Sequence, residues 1–357
     1  MAKPSKFVIP RPDPPNKSED GIYTAGFLLE PVPEGSNRGD CGNDKPYRWI
    51  WVITCAEVSL AKIMEGKKLA EEIKSNVKQK VETLNGMGVD VGLALMLVGN
   101  NPSSRQYLSA ILKACKSTGI TSYEYRLPES ATMNELLNTV HEINRDERIH
   151  GLLVFFPLPR RINSRKIVNS ILPEKDVDGL GSIPIGKFAA EESTFQLYSD
   201  SYRPAITQSL GFLPCTPFGV IKLLEYYNVE IKGKHAVVIG KSLAVGKPLS
   251  LMLLTKEATV TVCHKETKDL ADMTRQADIL CVAVGKLALV TGDMIKDGAV
   301  VVDIGINVLE NGCVVGDVDF ESVSKKASLI TPVPGGVGPV TIAMLLENTV
   351  KSAKARI

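Results

Sequence analysis

The chain carries almost no net charge: 42 lysines and arginines stand against 40 aspartates and glutamates, a formal +2. Without an excess of cations there is no stripe to track a phosphate backbone, so nucleic acid is not an expected partner. Histidine is scarce too, with four in 357 residues, and none stands at ligand spacing from another. The seven cysteines (41, 55, 115, 215, 263, 281 and 313) are odd in number and form no CxxC pair. Neither a disulfide framework nor a zinc site is expected, and a reducing compartment suits them best. Long apolar runs are also missing. The most apolar early stretch, Trp49 to Leu60, contains Glu57 and falls well short of the ~20 residues of a membrane span.

What is there reads as a soluble two-domain protein, 44% hydrophobic and 23% charged. Residues 1–60 are rich in Pro, Gly and Asn, with PRPDPP and EPVPEGSNRGD, and predict an extended or disordered arm. Asp13, Glu19, Asp20 and Glu30 argue against a mitochondrial targeting peptide, which is poor in acids. The cytoplasm is the expected compartment, with the mitochondrion as the alternative. From Ala61 the pattern changes. Leu69, Ile73, Val77 and Val81 recur four apart, which predicts an amphipathic helix, and GLALMLVG then predicts a strand covered on both faces. Helix and strand go on alternating through GLLVFFPL, which implies a parallel sheet. A second α/β unit follows PCTPFG, with strands at HAVVIG, ATVTVCH, ILCVAVG, AVVVDIG and SLIT. The expected division is an arm over 1–60, one lobe over 61–210, a second over 211–340, and a final amphipathic helix over 341–357 that returns to the first lobe.

The run HAVVIGKSLAVGKP places Gly240, Lys241, Ser242 and Gly246 between a strand and a helix. Backbone N–H groups at such a helix start can hold a pyrophosphate, and glycine permits close approach. The spacing meets the dinucleotide fingerprint only in part, and taken alone it equally suits a ligand-free turn. The next strand ends in CHKET, where a dinucleotide's ribose is normally read. There Lys265 stands in place of an acid, and with Lys241 it favours the 2′-phosphate of NADP over NAD, although exposed loop lysines are commonly only solvated.

In order, VGNNPSSRQY, GLLVFFPLP, PEKDVDG, PCTPFG, GKSLAVGKP, VVDIGIN, GDVDF and TPVPGGVGPVTIAMLLENT strongly resemble the methylenetetrahydrofolate dehydrogenase/methenyltetrahydrofolate cyclohydrolase family. The resemblance spans about Ala61 to Ala353. It implies an α/β fold with an N-terminal folate lobe and a C-terminal Rossmann-like nucleotide-binding lobe, a homodimer, and a folate cleft between the lobes. By the same resemblance Tyr107 lines the pterin and aminobenzoate site, and Asp178 hydrogen-bonds the pterin. A carboxylate suits a 2-amino pyrimidinone, and a phenol ring offers flat apolar area. Val154, Phe155 and Phe156 would border the substrate, with Pro334, Gly335, Gly336, Val337, Gly338 and Pro339 as a backbone wall. Thr216, Gly240, Lys241, Ser242, Lys265 and Ile306 would meet the cofactor, NADP or else NAD. Tyr107 and Asp178 are the candidate catalytic pair.

The chain departs from the pattern where one activity resides. Bifunctional members carry Y-x-x-x-K, because i and i+4 share a helix face. Here Ile111 stands four after Tyr107, and Phe155 occupies the place of a glutamine that supports the lysine. Lys113 lies at i+6, roughly 240° round the helix, and reads as a solvated surface lysine. Pro184 replaces an asparagine, Lys241 an arginine, and the segment 189–212 between the lobes is long, most simply as a surface loop. Hydride transfer needs mainly positioning, whereas hydrolysis needs proton transfer. The expected activity is therefore oxidation of 5,10-methylenetetrahydrofolate with cyclohydrolysis weak or lost. The alternatives are a full bifunctional enzyme, or a pseudoenzyme that binds folate or nucleotide. A generic hydroxy-acid dehydrogenase is disfavoured by the lack of a histidine–carboxylate pair near the cleft motifs.

Overall fold

The structure, a computed structural model, describes residues 60–190 and 211–357, together with the backbone of two short strands nearer the N-terminus. Residues 1–59 and 60–357 are separate compact units. In the first, β1 (Gly26–Leu28) pairs antiparallel with β2 (Ile50–Val52). The arm expected over 1–60 otherwise lies outside the described residues, as does most of the long segment between the lobes.

The second unit contains two parallel sheets. The smaller has the order β5-β4-β6, with β4 (Gly92–Val98) central between β5 (Thr121–Leu127) and β6 (Gly151–Val154). Every residue of β4 is buried, as its unbroken apolar run requires of a strand covered on both faces. Helix α1 (Gly66–Gly86) buries Leu69, Val77 and Val81. Helix α2 (Pro102–Thr118) starts where the Asn101 side chain accepts the Ser104 N–H, with Pro102 in its first turn. It ends at Gly119, whose left-handed φ of 79° suits glycine. Helix α3 (Met133–Arg145) opens on a reciprocal Thr132–Glu135 capping box. Two short helices, α4 (Ser164–Val168) and α5 (Ser182–Ala190), complete this half.

The larger sheet has six parallel strands. Beginning at one edge they are β3 (Lys62–Ile63), β13 (Leu329–Ile330), β10 (Val300–Asp303), β9 (Ile279–Val282), β7 (His235–Ile239) and β8 (Thr259–Cys263). From β7 the chain moves outward to β8 and then crosses back to β9. The crevice above β7 and β9 is thus a topological switch point, where ligands of such sheets bind. Helices α6 (Cys215–Tyr226), α7 (Gly246–Thr255), α8 (Leu270–Thr274) and α9 (Phe320–Ser324) belong to this half, with a small antiparallel hairpin of β11 (Asn307–Val308) and β12 (Val314–Val315).

The last helix, α10 (Val337–Lys354), begins four residues earlier than the sequence suggests. It is buried round most of its circumference rather than on one stripe, because it runs along both α1 and α6. Among the described residues no helix is long and apolar enough to cross a membrane, and no group of three His, Cys, Asp or Glu could hold a metal ion.

Candidate active site

A cleft of about 910 Å³ opens between the two sheets, within the roughly 300–1,000 Å³ usual for small-molecule sites. One wall is a face of α2: Ser103, Gln106, Tyr107, Ala110, Lys113, Ala114 and Ser117 recur at helical spacing along it. That stripe runs about 21 Å at 1.5 Å per residue. Lys67 and Lys74, two turns apart on α1, add to it. The opposite wall consists of strand ends and loops at Ala283, Gly285 and Asp303 to Ile306, and the floor is the run Pro332 to Pro339.

Tyr107 is half-buried, its ring edge-on to Phe155 with centroids 5.8 Å apart and planes at 73°. Burial, and then the nearby Asp178 charge, push its phenol well above its ordinary value, so it stays protonated. Asp178 also lines the cleft. Burial raises its carboxyl to about 7, the neighbouring Asp176 adds to the rise, and a hydrogen bond with Cys215 opposes it.

The loop that carries Asp178 is tied at many points. Lys175 is buried and donates its ammonium to the Ile143 and Asp146 carbonyls, at 2.7 and 2.8 Å, at the end of α3. Asp176 accepts the N–H groups of Leu180 and Gly181 at 3.3 and 2.7 Å, and burial raises its carboxyl to about 6. The Asn348 amide of α10 donates to the Val177 carbonyl at 2.9 Å, and the Cys215 thiol donates to the same oxygen at 3.2 Å. At Gly179, with φ 68°, a Cβ would strike the Phe212 carbonyl.

The cleft brings together Tyr107, Asp178, Thr216, Ile306 and all six residues Pro334 to Pro339. Val154, Phe155 and Phe156 do not line it, contrary to expectation. Along an extended strand alternate side chains face opposite ways. Val154 therefore joins the apolar cluster with Leu136 and Ile167, while Phe155, 3% exposed, lies behind Tyr107 in the main core. Phe156 is outside the cleft too; its carbonyl accepts a hydrogen bond from the Ser104 hydroxyl at 3.0 Å. Ile111 is fully buried in the main core and is likewise no part of the cleft surface. The sequence reading of Lys113 also needs correction. It is exposed as expected, yet it borders the cleft, which wraps far enough round α2 to include it.

On the nucleotide side, Gly240 closes β7 at φ 125°, and a Cβ there would collide with the Ala283 carbonyl. A Cβ on Gly246 would meet the Gly240 carbonyl. The bare-backbone loop between them leads into α7. Ser242 serves that loop internally: its hydroxyl accepts the N–H groups of Val245 and Gly246 at 3.1 and 3.3 Å, and its carbonyl that of Lys247 at 3.0 Å. The helix-start donors are thus already used. The N–H groups of Lys241, Ser242, Leu243 and Ala244 have no partner among the described residues and are the ones left for an anion. Lys241 is exposed beside them, whereas Lys265 pairs with Glu266 at 3.2 Å, both well exposed.

Two family profiles match the chain: the tetrahydrofolate dehydrogenase/cyclohydrolase catalytic domain over residues 64–178 and its NAD(P)-binding domain over 214–357. The chain belongs to the tetrahydrofolate dehydrogenase/cyclohydrolase family. The Bifunctional protein FolD of Campylobacter jejuni subsp. jejuni (strain 81-176) is 50% identical over 295 residues, 83% of this chain and 99% of the relative. A crystal structure of a Campylobacter jejuni FolD, 50% identical, aligns over 83% of this chain and 100% of its own with a TM-score of 0.75. A Trypanosoma brucei FolD, solved with NADP and an inhibitor, is 34% identical and aligns over 83% and 98% with the same score of 0.75. As a member of the dehydrogenase/cyclohydrolase family, the chain is an NAD(P)-dependent dehydrogenase. Its own geometry fits such a cofactor. The glycine-walled loop after β7 leaves backbone donors and a free lysine at the switch point, and no acidic side chain ends β8.

Several cleft residues were not anticipated from the sequence. Lys67 and Lys74 were hidden in a stripe read only for its apolar positions, although their spacing of seven is itself a helical repeat. Ser103 and Gln106 needed the face of α2 to be known. Asp303, with Gly305 and Ile306, was expected to close a strand at the cofactor edge, and all three line the cleft.

Proposed function

We propose that the protein oxidises 5,10-methylenetetrahydrofolate to the methenyl form with NADP, and that its cyclohydrolase step is weak or lost. The carrying observation is the apolar backing of Tyr107: Phe155 packs edge-on against its ring, and Ile111 is sealed in the core. Asp178, as carboxylate, accepts an N–H pair from the pterin, and Tyr107 offers its ring face along the cleft. Lys74 and Lys113, without ion-pair partners among the described residues, face the carboxylates of the folate's glutamate. The run Pro332 to Pro339 forms the floor on which substrate and dinucleotide would lie against each other. A bound nicotinamide supplies the hydride acceptor, and the folate nitrogens stabilise the cation left behind.

Hydrolysis of the methenyl product has no comparable support, because the ring packed against Tyr107 is Phe155 and the residue one turn on is the buried Ile111. Loss of general acid–base help costs about 10²–10⁴ in rate. Lys113 favours a second reading, a full bifunctional enzyme, since it borders the cleft and the 50%-identical relative is a bifunctional FolD. Parallel assays of NADPH formation and of methenyltetrahydrofolate decay separate the two. Under the first reading, enzyme-dependent decay is at least ~10²-fold slower than dehydrogenation, and Ile111→Lys/Phe155→Gln raises it. Decay at a comparable rate that disappears in Lys113→Ala establishes the second. Failure to reduce either NADP or NAD leaves a binding protein.

A further inference from the structure

Among the described residues, one carboxyl group with no assigned role accepts four hydrogen bonds. Asp317 is fully buried. Its two oxygens accept three consecutive backbone N–H groups, those of Val284 at 2.8 Å, Gly285 at 2.9 Å and Lys286 at 2.8 Å. The Asn307 side-chain amide adds a fourth donor at 2.9 Å. Successive N–H groups curled round one point form an anion nest, the arrangement that often cradles a phosphate. Here the nest lies at the carboxyl end of β9, beside the switch point, and the protein fills it with its own side chain.

Asp317 is itself held. Asp303, which ends β10, accepts the N–H groups of Asp317 at 3.0 Å, Val318 at 2.9 Å and Gly305 at 2.9 Å. The two carboxylates are interlocked through glycines. A Cβ on Gly305 would enter the Asp317 carboxyl group, and one on Gly316 would enter that of Asp303. Gly285 itself takes a left-handed φ of 67°. Three backbone segments from different parts of the chain are thereby locked to one another, and two of them supply cleft wall: Ala283 and Gly285, and Asp303 to Ile306. Four hydrogen bonds to one side chain are more than a turn of four residues needs to close.

We infer that Asp317 is a positioning residue for the dinucleotide: it fixes the Ala283–Lys286 turn and Gly305 as one rigid wall on which the cofactor seats. The inference rests on the NAD(P) reading of the site. Asp317→Asn keeps the shape but turns an amide donor toward backbone donors, so at least one N–H loses its acceptor and the turn shifts. NADPH binding to the full-length protein, followed by its fluorescence in the absence of folate, is expected to weaken at least tenfold. The KM for methylenetetrahydrofolate at saturating NADP should stay within twofold. Asn307→Ala, which removes the outer donor together with its second bond to the Gly316 carbonyl, should weaken NADPH in the same direction by a smaller factor. A general packing role would degrade both ligands alike, and that result overturns the inference, as does an unchanged NADPH affinity in Asp317→Asn. If Asp317→Asn does not fold, Asn307→Ala decides alone, and unchanged NADPH affinity there overturns it. Wild-type protein that fails to bind NADPH would instead refute the cofactor reading on which the inference stands.

Discussion

Gly240 has the least freedom of any residue at the nucleotide edge, since both its φ of 125° and the Ala283 carbonyl forbid a side chain. Gly240→Ala should weaken NADPH binding at least tenfold and lower the melting temperature, as fluorescence titration and calorimetry would show. Asp178 makes a pH prediction. Its carboxyl, raised to about 7, is mostly neutral below that pH, while the proposed pterin contact requires the carboxylate. The kcat/KM for the folate should therefore rise with pH through about 7, and Asp178→Asn should be low and flat. The stability sign is opposite. A raised carboxyl contributes most below its ordinary value near 4 and loses that contribution as pH climbs to about 7. Relative to wild type, Asp178→Asn should melt higher at pH 8 than at pH 5. Tyr107 and Asp178 were legible in the sequence as cleft residues because each sits in a specific motif. Phe155 and Lys113 were legible only in identity. Whether a side chain faces the cleft depends on strand alternation and on how far the groove wraps a helix, which the motif does not encode.

At the scale of elements, α2 does most to shape the site. Its cleft face alternates the flat ring and small residues with Lys113, and Lys74 of α1 lies on the same wall. Lys74→Ala and Lys113→Ala should each raise the folate KM about two- to fivefold, the size of an exposed charge pair of ~0.5–1 kcal/mol. Added salt should shrink the effect. A substitution on α10 should act through stability. Asn348→Leu leaves the Val177 carbonyl with one donor fewer and the Leu213 carbonyl without its side-chain partner, at a cost of ~1–3 kcal/mol measurable by urea unfolding. The long periodic elements were readable from spacing alone, as Leu69 and Val77 on α1 and the unbroken β4 show. The two-residue strand β3 and the hairpin β11–β12 were not, because so few residues carry no period. The burial of α10 was misjudged for another reason: polar residues such as Asn348, Thr349 and Ser352 look solvent-facing until their buried partners are known.

For the whole molecule, the boundary at Ser59 matters most. The unit from Leu60 contains both sheets and the cleft, and the family profiles begin at residue 64. Residues 60–357 alone should keep kcat/KM within about twofold of the full chain. A truncation that begins at Gly66 also removes β3, and with it the hydrogen bonds of Lys62 and Met64 to Ser328 and Ile330. It should melt several degrees lower in a thermal scan. The placement of β3 bears on synthesis too. The first strand of the catalytic unit pairs with β13, made near the end, while α10, the last element made, is buried against α1, the first helix. A ribosome releases the chain in order, so the β3 edge and the α1–α10 face close last. The emerging polypeptide must keep the Lys62–Ile63 strand unpaired until Leu329 and Ile330 have been translated.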